Sequence, residues 1–224
     1  NPMLRNKGGE QDLDKIIFAA TIGMKKACLE YPVKAGILLM MDRRFPKEKN
    51  DVIAKKAARF ASEGIVGLDI AGPLNDAFRV EDLVDAVKVA KDAGLGITIH
   101  TGEVTPAAEV WNVVKLLAPN RIGPGIRSVD DPKLLEYMAK ENITLEVCPT
   151  SNIQTQAAKD WDDVKRILAA LKSAVVPFTI NSDGPELLGT SVKEEFETLV
   201  EKKIMTPDDI AACTEIARKA TFFK

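Results

Sequence analysis

Six short apolar runs, each closed by glycine or polar residues, alternate along this chain with stretches of helical period, and that alternation restricts the fold more than any other feature. The runs are Val33 to Met41, Ile65 to Ile70, Gly96 to His100, Arg121 to Gly123, Thr144 to Cys148 and Pro177 to Asn181. They are too short for solitary helices and suit strands covered on both faces. Between them the spacing predicts helices. The first follows Gly8-Gly9 and runs from about Asp12 to Leu29, with Leu13, Ile16, Ile17, Ala20 and Met24 on one face. Asp51 to Glu63 presents Ile53, Ala57 and Phe60, and Val80 to Ala93 presents Leu83, Val84, Val87 and Ala90. Ala107 to Leu117, Asp131 to Lys140, Trp161 to Ala174, Val192 to Lys202 and Pro207 to Ala220 complete the set, the last capped by Thr206 with Asp209 in its first turn.

Strands that alternate with helices form right-handed βαβ units and a parallel sheet. No glycine-rich dinucleotide fingerprint or phosphate-binding loop follows any of the runs. Nearly every run ends in a polar loop, which is what the active face of a (β/α) barrel draws from many strands. The expected fold class is therefore α/β, a parallel (β/α) barrel of TIM type. Six units in 224 residues is about 37 residues each, so eight would need roughly 300. The barrel is expected to be incomplete, with about six βα units.

Charge excludes two classes of partner. A net charge of -2 with both signs mixed throughout leaves no basic patch for nucleic acid or an anionic membrane. No apolar run reaches the roughly 18 residues of a membrane span, and the first residues do not form a signal peptide, so a cytoplasmic chain is expected. Cys28, Cys148 and Cys213 are odd in number and far apart, which argues for reduced thiols rather than a disulfide framework or a thiolate zinc site.

Chemistry gathers where strands end. His100, the only histidine, closes a β-branched run and is followed three positions later by Glu103; Asp183 follows the sixth run. A histidine and a carboxylate from separate strands suit a zinc-like metal, and a second carboxylate suits proton exchange with an activated water. Spacing alone leaves the alternatives open: a hydrogen-bonded histidine, a solvated Glu103, and Asp183 as a turn residue before Gly184-Pro185.

Four ordered motifs narrow the choice: His100-Thr101-Gly102-Glu103, Arg121-Ile122-Gly123-Pro124-Gly125, Leu145-Glu146-Val147-Cys148-Pro149-Thr150-Ser151-Asn152 and Asn181-Ser182-Asp183-Gly184-Pro185. Their order and approximate spacing resemble the adenosine deaminase family, and Leu68-Asp69-Ile70-Ala71-Gly72 resembles that family's preceding strand and substrate loop. The resemblance implies a metal-dependent barrel hydrolase in which zinc activates a water that attacks the purine C6 and releases ammonia. It implies that His100 and Asp183 are metal ligands, that Glu103 is the proton donor to the purine ring nitrogen, and that Gly72 contacts the purine through its backbone. The cytidine deaminase type, H-x-E with a later P-C-x-x-C, does not match H-x-x-E and the isolated Cys148-Pro149.

The departures are equally specific. The family's first-strand H-x-H pair has no counterpart, Pro124 stands where the family has a histidine, and Gly184 stands where it has a second aspartate. Residues 1–224 are thus expected to form a single barrel-type domain lacking the first strand and most of the second. The expected function is deamination of a 6-aminopurine nucleoside, impaired or absent in this chain, with zinc held by too few ligands. The alternative is a catalytically inactive scaffold or engineered fragment that associates with itself, or with a complementing segment, through open barrel edges. A third reading, a different hydrolase, would use Arg43-Arg44 for a phosphate; a solvated charge pair is the plainer account of those residues.

Overall fold

The computed structural model describes residues 1–5 and 10–223; Gly8-Gly9, expected to precede the first helix, lie outside them. By contacts the chain divides into two compact units, Asn1–Ile99 with Phe222–Lys224, and His100–Thr221.

In the first unit, α1 (Leu13–Glu30), β1 (Ile37–Asp42), α2 (Lys47–Arg59), β2 (Ile65–Ala71) and α3 (Val84–Asp92) lead into β3 (Gly96–Thr101). β1 and β2 pair in parallel from Ile37 opposite Ile65 to Asp42 opposite Ala71, and β2 pairs with β3 from Gly67 opposite Gly96 to Ile70 opposite Ile99. Parallel strands buried on both faces need continuous apolar sequence, and Met41, Leu68, Ile70 and Ile97 are fully buried, as are Ile53, Ala54 and Ala57 of α2, which packs on β1 and β2. The C-terminal Phe222 covers a place where two strands carry no side chains. A Cβ on Gly96 would lie 2.3 Å from the Phe222 ring, and one on Gly67 would lie 2.9 Å from it.

Several boundaries differ from the sequence expectation. β1 starts at Ile37, not Val33, because Val33 bonds back to the Tyr31 carbonyl in a turn and is exposed. α2 begins at Lys47 rather than Asp51, directly after Pro46, where a side-chain pair between Lys47 and Asp51 closes its first turn. Residues Val80–Leu83 form a 3₁₀ turn ahead of α3, which leaves Val84 at 40% exposure and outside the buried stripe. On α1 the expected apolar face is only half-covered: Ile17 and Thr21 are buried, while Ala20 is exposed.

The second unit begins with the last two residues of β3. α4 (Ala107–Leu117), β4 (Arg121–Pro124), α5 (Pro132–Lys140), β5 (Thr144–Val147), α6 (Pro149–Gln154), α7 (Trp161–Ser173), β6 (Phe178–Ile180), α8 (Pro185–Leu188), α9 (Val192–Glu201) and α10 (Pro207–Ala220) follow. β4, β5 and β6 are parallel neighbours in chain order. Asp131 caps α5 and accepts a bond from Trp111 Nε1 of α4 at 2.8 Å, and Thr206 with Asp209 forms a capping box at α10. α6 and α8 fall where polar loops were expected. Among the described residues, no helix is long and apolar enough to cross a membrane.

Candidate active site

Parallel strands deliver their carboxyl ends to one side, so the loops after β3, β4, β5 and β6 meet. They enclose a cavity of about 340 Å³ lined by His100, Glu103, Gly123, Pro124, Glu146, Cys148, Asn152, Asn181, Ser182, Asp183 and Val192. That volume is in the range of small-ligand pockets. Three of the residues singled out in the sequence, His100, Glu103 and Asp183, are therefore in the same cavity lining.

Local hydrogen bonds fix the rim. Gly102 N–H donates to Thr105 Oγ1 at 2.9 Å, and Gly125 N–H donates to the Thr101 carbonyl at 3.1 Å, tying the turn after β4 to the end of β3. The Gly123-Pro124 peptide is cis. Asn181 N–H donates to the Val147 carbonyl at 2.9 Å, so the chain beyond β6 stays against β5. Asp183 then turns with φ +58, and its Oδ2 accepts the Ser151 hydroxyl at 2.8 Å. Glu103 Oε1 accepts the Thr155 hydroxyl at 3.2 Å.

Glu146 is a lining residue that the sequence reading assigned no role. Its Oε1 is 2.8 Å from Arg121 Nε, with both side chains largely buried, and Arg121 Nη1 also donates to the Ala220 carbonyl at 3.0 Å. A Cβ placed on Gly123 would lie 3.1 Å from Glu146 Oε2 and 3.7 Å from His100 Nε2, so carboxylate and imidazole flank the same backbone. The available signal was a pair of opposite charges, Arg121 and Glu146, inside two neighbouring apolar runs.

The cavity is acidic. Burial, then the charges of Asp183, Glu146, Glu103 and Glu195, push the Cys148 thiol far above its ordinary value, which disfavours the nucleophilic thiolate form. The expected zinc meets a short donor set. Catalytic zinc takes three protein ligands and a water; among the described residues no group of three or more His, Cys, Asp or Glu is arranged to hold a metal ion. His100 and Asp183 line the cavity, Pro124 offers no side-chain donor and Gly184 only backbone. This chain's residues do not by themselves fit a catalytic zinc, and the chemistry they can carry is proton chemistry.

Gly72 belongs to the first unit, after β2. Its φ is +103 and a Cβ there would meet Asp42 Oδ1 at 2.8 Å, so both conformation and close approach require glycine. The Asp42 carboxylate, fully buried, accepts both Nε and Nη2 of Arg44, at 2.9 and 2.6 Å, and is held below the usual carboxylate range by that fork. Arg43 is buried with its guanidinium 5.6 Å from the centre of the Phe78 ring. Arg44 is thus engaged with Asp42 inside its own loop, and the phosphate reading gains no support from it.

Strand–helix repeats with polar groups collected beyond successive parallel strands define a protein of the (β/α)-barrel class. Its backbone superposes on adenine deaminase from Arthrobacter aurescens with a TM-score of 0.85 at 20% identity, over 100% of this chain and 67% of that one, a likeness of fold. The family model of adenosine deaminase matches residues 4–224, and the chain belongs to the adenosine deaminase family. An adenine deaminase of Mesorhizobium japonicum is 34% identical over 200 residues, covering 89% of this chain and 61% of its own length. An adenosine deaminase of Aliivibrio fischeri is 32% identical over 203 residues, covering 87% and 57%. The chain spans about three fifths of the length of these curated relatives.

Proposed function

We propose that the cavity takes a 6-aminopurine, as base or nucleoside, and that these residues serve its hydrolytic deamination, at a rate reduced by the groups this chain lacks. The observation that carries the reading is the meeting of His100, Glu103 and Asp183 in one cavity of a chain that belongs to the deaminase family. Relatives named adenine deaminase and adenosine deaminase both support a purine carrying a 6-amino group.

In this reading Glu103 gives its proton to a ring nitrogen. The ring gains positive charge, and C6 becomes electrophilic enough to accept a water oxygen. Asp183, steadied by Ser151, accepts a hydrogen bond from that water and takes up its proton. C6 becomes tetrahedral, the proton passes to the amino group, the C–N bond breaks with its electron pair leaving on nitrogen, and ammonia departs. The 6-oxopurine keeps the hydrogen on its ring nitrogen, and the hydroxyl proton of the adduct, released as the C6–O double bond forms, returns to Glu103. When bound, the family's metal would supply acidification of the attacking water. Pro124 cannot donate to the developing oxyanion, and Gly184 has no side chain to grip the purine. Loss of one such donor lowers the rate by about a hundredfold or more.

The test is ammonia release from adenosine and from adenine, with and without added zinc, beside binding measured calorimetrically. We expect measurable binding and slow release, with Glu103→Gln lowering release by about a hundredfold while leaving binding largely intact. Absence of binding by either purine, or release indifferent to Glu103→Gln, overturns the reading.

A further inference from the structure

Glu195 is a buried acid that the proposed chemistry does not use. It lies in the first turn of α9 at 1% exposure, and among the described residues its carboxylate takes neutral partners: the Thr150 N–H at 3.3 Å and the Thr190 hydroxyl at 3.1 Å. Burying a carboxylate is costly unless it is paired or hydrogen-bonded, and both Glu195 oxygens hold an N–H or O–H donor. Thr150 belongs to α6, and α6 reaches the cavity twice. Ser151 donates to Asp183 from the first turn of α6, and Thr155, its C-cap residue, donates to Glu103 at 3.2 Å in preference to its other acceptor, the Asn152 carbonyl at 3.5 Å. The same helix also holds the end of β5, through Asn152 Oδ1 and the Cys148 N–H.

We propose that Glu195 is a positioning residue for the candidate active site: from α9 its carboxylate fixes the start of α6, and α6 holds the carboxylates of Glu103 and Asp183 through Thr155 and Ser151. This deepens the purine reading and rests on it for its consequence in binding, but not for its geometry. Neither carboxylate is oriented by its own loop alone. Glu103 follows a strand end and Asp183 a left-handed turn, and in each case the bonded hydroxyl comes from α6.

The experiment is a mutant cycle on the full chain, read on two signals: the side-chain carboxyl ¹³C resonances of Glu103 and Asp183, and the affinity for adenosine. Glu195→Leu should move both resonances and weaken adenosine by about tenfold, the order expected when a supporting contact lets a site group drift. Glu195→Gln, which keeps an acceptor for the Thr150 N–H, should retain most of the wild-type behaviour. Thr155→Val should move Glu103 alone and Ser151→Ala Asp183 alone. In the Thr155→Val background, Glu195→Leu should no longer move Glu103, because contacts in series are not additive. Resonances unmoved by Glu195→Leu, or an equal effect on Glu103 with and without the Thr155 hydroxyl, overturn the proposal. If Glu195→Leu does not fold, Thr155→Val and Ser151→Ala decide: failure of either to move its carboxylate overturns it. Resonances that respond as stated in a protein that does not bind adenosine refute the purine reading and uphold the positioning role.

Discussion

Gly96→Ala is a small change with a large expected effect, because the space above Gly96 is already filled. An added Cβ would lie 2.3, 2.3 and 2.5 Å from Cδ1, Cγ and Cδ2 of Phe222. Carbon atoms pack favourably at about 3.5–4.0 Å, so the ring must retreat by more than about 1 Å or leave. Overpacking of this kind costs about 1–3 kcal/mol. The ceiling is set by expulsion of the ring: full burial of a phenylalanine is worth about 1.5–3 kcal/mol, and Phe222 is only half-buried. Gly96 does not have positive φ, so alanine fits its backbone, and its stiffer unfolded chain returns about 0.4–1 kcal/mol. The net expectation is a loss of about 1–2 kcal/mol. In a Phe222→Ala background the clash disappears, and the same substitution should be neutral or slightly stabilising. Equilibrium urea unfolding of the four proteins measures the coupling directly. A loss under about 0.5 kcal/mol in the parent, or the same loss in both backgrounds, would refute the argument that Phe222 seals these two strands.

Other consequences follow from the buried charges and thiols. Arg121→Met removes the guanidinium 2.8 Å from the Glu146 carboxylate, where the two side chains are 16% and 23% exposed; we expect a loss of about 2–4 kcal/mol, part of it recovered by adding Glu146→Gln. Equal stability of the single and double variants would mean the pair does not matter. Burial pushes the Cys213 thiol up to about 11, above its value in the unfolded chain. The unfolded thiol ionises first, so stability should fall as pH rises from about 8.5 towards that value, by about 1.4 kcal/mol per pH unit. Burial also pushes up the Cys148 thiol, which adds a slope of its own, so Cys213→Ala should reduce the alkaline slope by about 1.4 kcal/mol per pH unit in unfolding curves taken between pH 8 and 11, and an unchanged slope would remove Cys213 as a contributor.

Much of this fold was legible because strong local signals agreed with the tertiary result. Ala107–Leu117 and Pro207–Ala220 match their predicted bounds, since Pro106 and the Thr206–Asp209 box mark the starts and the apolar period marks the length. α6 was not legible. Pro149-Thr150-Ser151-Asn152 is turn-like in composition, and its helical form goes with bonds from residues some thirty to fifty positions away, including Glu195 and Asp183. Val33 misled for the opposite reason: it continues an apolar run, but the ladder begins only where Ile37 finds Ile65. At the site, strand-end logic led to His100, Glu103 and Asp183. It passed over Glu146, whose partner Arg121 is on another strand and adjacent only after folding.

The left-handed turn at Asp183 also limits what position 183 can become. A φ near +58 disfavours most side chains, although Gln156, Val175 and Lys203 adopt it elsewhere in this protein; glycine, asparagine and aspartate do so readily. Of these only aspartate is charged, and only asparagine matches its size while still accepting the Ser151 hydroxyl. A library randomised at this codon and selected for folding alone should therefore be enriched in Gly, Asn and Asp, whatever the protein's activity. Mutational drift would then reach an uncharged site by a single conservative step, with the backbone left in place.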